Sequence, residues 1–259
     1  MNSKLNNVDI LIPTYYKDFV WLEYLLKSLN KFASGFRKII VVTDDDGNIL
    51  PDNIKNIVPI ELIYVKMLEC PKSIDFRPGY FWQQYLSLNW MEYSDADTVL
   101  ILHSDGMLTE KLTPNDLVDS NNRFRWFYRR WADAGEAIAW KLPTEQALKH
   151  VTTCEAMCMP GFIFEKHTTI NFINYMKKIH NASSLWDCFF KYNPKLFSEF
   201  NVFGSFILYF DNQMYSKILI SNDNLSEWQD TFNHKILSSW SYGGLTNDDK
   251  IKRDFILNN

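Results

Sequence analysis

Asp105 is the residue of this chain best placed to do chemistry. It follows residues 98–102, an apolar run that ends in His103-Ser104-Asp105-Gly106. A carboxylate at such a strand tip can hold Mg2+ or Mn2+, hard cations that take oxygen ligands and bridge to substrate phosphates. Asp105 and Gly106 would serve equally well as a turn leaving the strand. Two more polar clusters follow apolar runs in the same way: Thr14 and Tyr15 after residues 8–13, and Asp44, Asp45 and Asp46 after residues 38–43.

Strand and helix signals alternate through the first hundred residues. Residues 8–12, 38–43, 62–65 and 98–102 are apolar runs that predict buried strands. Between the first two, Leu22, Leu25, Leu26 and Leu29 recur at helical spacing, with Asp18 as the expected cap and Gly35 as the stop. Pro78 and Gly79 open a second predicted helix over residues 81–93. Such alternation implies an α/β fold with a mostly parallel sheet flanked by helices. In open sheets of that kind ligands lie beyond the carboxyl ends of the strands, so Thr14, the Asp44–Asp46 cluster and the His103–Asp105 cluster are expected to share one crevice.

Past Gly106 the pattern loosens. Residues 161–165 read as a strand and 168–180 as a helix, and no repeat or linker interrupts the chain. A single domain is expected, with an irregular C-terminal half completing the cleft. Residues 123–131, Arg-Phe-Arg-Trp-Phe-Tyr-Arg-Arg-Trp, interleave cations with rings. They are read as a helix that packs its rings inward and keeps its arginines wet. A strip that stacks bases and neutralises phosphates, or one that binds an anionic glycan, is the alternative.

A net charge of −4 among 259 residues argues against binding nucleic acid through bulk positive charge. With 46% hydrophobic and 22% charged residues the composition is that of a soluble globular protein, and no apolar run reaches membrane-spanning length. The first nine residues lack the apolar segment of a secretory signal, and the four cysteines lack paired metal spacing, although Cys154 and Cys158 stand four apart. Reduced thiols in a cytoplasmic protein are expected. Aromatic residues reach 16%, the excess with which sugar and nucleoside clefts are lined.

Residues 10–15, 39–46 and 100–105 resemble three successive strand ends of a GT-A glycosyltransferase, the nucleotide-sugar-dependent fold with an Asp-x-Asp metal motif. The order is more specific still. Gly-Tyr-Phe-Trp-Gln-Gln at 79–84, the strand ending at Asp105, and Phe-Ser-Glu-Phe-Asn-Val-Phe-Gly at 197–204 are similar to a largely uncharacterised microbial group of such proteins.

The resemblance implies a GT-A-like, Rossmann-like domain over 1–259, with 1–106 binding the nucleotide and 107–259 the acceptor. It implies transfer of a sugar from a nucleotide-diphosphate donor to a glycan or glycoconjugate hydroxyl, assisted by Mn2+ or Mg2+. Asp105 matches the last carboxylate of the metal motif. His103 stands where the family has Asp, which removes one negative charge and weakens the grip on a divalent ion. His234 is the candidate for an additional histidine ligand. Asp44, Asp45 and Asp46 would face the nucleoside, where a carboxylate suits ribose hydroxyls or a base N–H, with Thr14 and Tyr15 touching the same group. Arg77 would reach the donor phosphate or sugar, as would one of Gln83 and Gln84, which neighbour each other about 100° apart on a helix.

Glu199 matches the downstream element and is the candidate base for the acceptor hydroxyl, with Glu155 and Asp187 in reserve. A first-turn helix residue making a capping box explains the same letter at 199. Two other functions stay open: a nucleotide-sugar or carbohydrate-binding protein without turnover, motivated by His103, and a nucleic-acid-binding protein using residues 123–131.

Overall fold

The structure, a computed structural model, describes residues 5, 7–45, 47–66, 68, 78–158, 160–191, 198–210, 213–220, 232–238 and 244–259. In chain order its strands are β1 (Val8–Pro13), β2 (Ile39–Asp44), β3 (Glu61–Val65), β4 (Thr98–Ile101), β5 (Gly106–Leu108), β6 (Phe124–Arg130), β7 (Cys154–Glu155), β8 (Phe162–Glu165), β9 (Tyr215–Leu219) and β10 (Ile236–Ser238). The helices are α1 (Phe19–Phe32), α2 (Asp52–Lys55), α3 (Pro78–Leu88), α4 (Lys141–Leu148), α5 (Lys166–His180), α6 (Leu185–Lys191), α7 (Glu199–Tyr209) and α8 (Asn247–Asn258).

Continuous apolar runs such as Ile-Leu-Ile in β1 and Ile-Val-Val in β2 suit strands covered on both faces. Every residue of β1 is accordingly buried, and the five-stranded sheet is ordered β3-β2-β1-β4-β8. Its first four strands are parallel, with Leu11 opposite Ile40 and Ile101; β8 adds an antiparallel edge. Parallel neighbours need crossovers, and α1 supplies the one from β1 to β2. Its stripe of Leu22, Leu25, Leu26 and Leu29 is at most 1% exposed, each side chain contributing about 2 kcal/mol of burial.

Asp9 is a charge inside this apolar strand. Arg37 grips both its oxygens at 2.9 and 2.7 Å, and Ser94 donates to it at 2.6 Å, so the carboxylate is fully paired. The apolar cluster continues past the sheet to Phe203, Tyr215 and Ile236, so both halves of the chain share one core. Among the described residues no helix is long and apolar enough to cross a membrane.

Residues 123–131 differ from the expected helix. Residues 124–130 form β6, between antiparallel β7 and parallel β9. The reason is visible in the letters: Phe124 and Trp126 alternate with Arg125 at period two, burying the rings and leaving Arg125 half-buried. Three of the four arginines are engaged, Arg123 with Asp119 at 2.9 Å, Arg125 with the Val118 carbonyl at 2.9 Å and Arg129 with Glu155 at 2.8 Å.

Asp18 also departs from expectation. It stands at the cap position of α1 but makes no capping hydrogen bond, because its carboxyl group turns inward. Cys154, Cys158 and Cys188 are free thiols.

Candidate active site

The chain builds β1, β2 and β3 outward in one direction and then returns through α3 to place β4 on the other side of β1. The order therefore reverses between β1 and β4, and the carboxyl ends of those two strands open the crevice in which ligands of such sheets sit. Thr14 and Tyr15 leave one end, His103, Ser104 and Asp105 the other. Asp44 leaves β2 beside β1, about 10 Å from the β4 tip by strand spacing.

Helix α3 seats itself across this opening through its adjacent glutamines. Gln83 Nε2 donates to the Pro13 carbonyl at 3.4 Å, while Gln84 Oε1 accepts from the Glu199 amide at 3.0 Å. The first turn of α7 is thus tied to the end of β1 through α3. Ser198 caps α7 by accepting from the Asn201 amide at 3.3 Å, which excludes Glu199 from the capping-box role and frees its side chain. That carboxylate is buried and faces His103, with Nε2 and Oε1 3.4 Å apart. At this distance the pair is an ion contact, longer than a charge-assisted hydrogen bond. Burial disfavours the imidazolium, but Glu199, with Asp105 and Asp18 behind it, prevails and raises the His103 pKa above its ordinary value.

Asp18 and Asp105 also lie near His103. Asp18 is 5% exposed, and its carboxylate accepts from Ser104 Oγ at 3.4 Å. Burial first, then the charge of Asp105, push its pKa up to about 6, while the Ser104 hydroxyl and His103 hold it back. Tyr15 stands over the same ground. Its phenol is raised by burial and by Asp18, Tyr16 and Asp44, and remains neutral.

Among the described residues, Thr14 Oγ1 and Gln84 Nε2 are buried without a hydrogen-bond partner, and His103 Nε2 and Glu199 Oε1 have only their 3.4 Å contact with each other. Each unmet group costs about 1–3 kcal/mol, which a polar ligand reaching Thr14 or Gln84 would recover. The set offers a hydroxyl, an amide donor, an imidazole and a carboxylate, the groups that read and deprotonate alcohols.

No protein-family model matches the chain, and no curated protein matches it.

Among the described residues no group of three or more His, Cys, Asp or Glu side chains is placed to hold a metal ion. His103 turns its Nε2 to Glu199. His234 does not reach the opening. Ser238 pairs with Gly106 and Ile236 with Leu108, so residue 234 lies beyond the far end of β5 from Asp105, where its Nε2 is 3.6 Å from Glu110. Asp18 and Asp105 are near enough for the charge of Asp105 to raise the Asp18 pKa, and carboxylate oxygens are the donors that Mg2+ or Mn2+ takes.

Of the other expected site residues, Asp44 accepts from Thr43 Oγ1 at 3.2 Å and Asp45 is exposed. Asp46 and Arg77 lie outside the described residues. The reserve carboxylates have structural partners: Glu155 with Arg129 and the Met157 amide, Asp187 with Ser183 and Ser184. Asp18 was missed because Asp before an apolar helix is the ordinary signature of a cap; its distance of four residues from Thr14 was the available signal.

Proposed function

We propose that this chain is a GT-A-type glycosyltransferase that moves a sugar from a nucleotide-diphosphate donor to an acceptor hydroxyl, inverting the anomeric centre. The observation that carries the reading is the buried Glu199 carboxylate beside His103, at the reversal between β1 and β4, with Asp18 and Asp105 near the same imidazole. A carboxylate base and further oxygen donors are what a single displacement at a sugar carbon requires.

In this mechanism Glu199 accepts the acceptor's hydroxyl proton as that oxygen attacks. His103, whose pKa its acidic neighbours raise, keeps the carboxylate oriented and when protonated offsets charge gathering in the site. Gln84 fixes the start of α7 and offers its free amide to a sugar hydroxyl, as Thr14 does with its own. Tyr15 supplies a ring for the nucleoside, and Asp44 an acceptor for its ribose. Asp105 and Asp18 would hold Mg2+ or Mn2+, which when bound offsets the diphosphate's charge as it leaves.

The test is a thermal-shift screen of nucleoside diphosphates with and without Mn2+, followed by assay of donor hydrolysis and transfer. A ligand at about 100 times its Kd adds about 2.7 kcal/mol, several degrees for a chain of this size. Glu199→Gln should lower transfer by about 100-fold or more while donor binding persists. No shift with any nucleoside diphosphate overturns the reading, and unchanged transfer in Glu199→Gln removes the residue as base. A shift without turnover would mean a binding protein.

A further inference from the structure

The structure assigns Arg253, on the last helix, the role of positioning residue for the Asp105 turn. Its guanidinium is completely buried, an unusual place for the most polar of side chains. Nη2 donates to the Asp105 carbonyl at 2.7 Å, and Nη1 approaches the Gly106 carbonyl at 3.4 Å. The planar group lies over the Trp21 ring, 4.6 Å from its centroid, and within 5.9 Å of Tyr24. Trp21 belongs to the first turn of α1, three residues past Asp18. One side chain therefore links the backbone under one carboxylate to the helix that carries the other.

The rest of α8 makes little of this contact. Its apolar residues Ile251 and Phe255 are each 67% exposed, while Lys31 donates to the Leu257 carbonyl at 2.8 Å and Tyr24 hydrogen-bonds Asp254. A helix docked only for packing would bury those two and leave a cation in water. Here the cation is the part inserted, and burying a guanidinium is costly unless its donors and charge are answered. Two adjacent carbonyls answer the Nη donors and Asp105 and Asp249 the charge, with an aromatic face beneath. The flat fork fits two neighbouring carbonyls, which a lysine cannot copy. Beneath a turn where Asp18 and Asp105 crowd together, a fixed positive charge also keeps the two carboxylates from spreading. The C-terminal helix is thus part of the site, 148 residues from the turn it holds.

The functional half of this inference rests on the metal-assisted transferase reading; the structural half does not. The experiment compares wild type, Arg253→Lys and Arg253→Met, each checked for folding by circular dichroism. Hydrogen exchange of the amides at 104–106 reads the turn, and Mn2+ binding, followed by electron paramagnetic resonance with and without nucleoside diphosphates, reads the site. Exchange at 104–106 is expected to quicken at least 10-fold in Arg253→Met and less in Arg253→Lys, with β1 and β2 amides unchanged. Mn2+ affinity should fall about 10-fold or more in Arg253→Met and recover partly in Arg253→Lys. Should Arg253→Met not fold, Arg253→Lys alone carries the comparison. Unchanged exchange at 104–106 overturns the assignment, as does full Mn2+ affinity in a variant whose turn has loosened. Failure of wild type to bind Mn2+ or any nucleoside diphosphate, together with quickened exchange in the variants, sinks the transferase reading and leaves Arg253 as keeper of the turn.

Discussion

At the scale of single residues the site is a set of buried polar groups with different degrees of support. Gln84 shows why both of its ends matter. Its carbonyl meets the Glu199 amide and its NH2 meets nothing, so one end is structural and the other is left for a ligand. Gln84→Leu removes an acceptor from a buried N–H at the start of α7. It should cost about 2 kcal/mol in urea denaturation, a loss that Gln84→Ala would share. An unchanged midpoint in both variants would show that Glu199 is held by something other than α3. His103 is the residue where expectation and geometry part most clearly. Substituting imidazole for a carboxylate moves the position from gripping a cation to pairing with Glu199, a change of partner as well as of charge.

Elements decide which of these groups can meet. Helix α7 can approach β6 and β7 only because residue 204 is glycine. A Cβ there would lie 2.4 Å from the Ala156 Cβ and 2.6 Å from Trp126 Nε1, far inside contact distance. Gly204→Ala gains about 1 kcal/mol of helix propensity but overpacks a tight contact, which costs about 1–3 kcal/mol or more. The net effect should be lower stability in denaturant titration, partly reversed by adding Ala156→Gly. A more stable Gly204→Ala protein would mean that α7 shifts freely, and with it Glu199. The elements of the first hundred residues were legible because buried parallel strands and an amphipathic helix write their periods into adjacent letters. Residues 123–131 were legible too, but at period two: rings at 124 and 126 with an arginine between them describe a strand, and the density of cations drew the reading toward a wet helix face.

Across the whole molecule, distant parts of the chain are pinned together by long-range polar ties. Lys235, just before β10, donates to Asp116 at 2.8 Å and to the Lys111 carbonyl at 2.9 Å, while Asp116 also closes the capping box with Thr113. Burial opposes ionisation of Asp116, yet Lys235 and Thr113 outweigh it and hold the pKa below its ordinary value. A depressed carboxyl contributes stability above its unfolded pKa and loses it as pH falls through the folded one. Asp116→Asn should therefore be less stable than wild type near pH 7 by about 1 kcal/mol, with the gap closing below about pH 4. Thermal melts across that range check it, and a gap independent of pH would assign the effect to the capping box alone.

The pattern of letters by itself determined that this chain forms an α/β sheet with acidic and hydroxyl residues at its strand ends, because apolar periodicity and strand-end chemistry are local properties. Tertiary structure alone decided that Glu199 faces His103, that Asp18 turns inward toward Asp105, and that His234 stays away. Those outcomes depend on loop closure over some hundred residues and on which helix packs across which strand end. Local sequence carries no record of that, because the free energy that selects among such pairings resides in the assembled core.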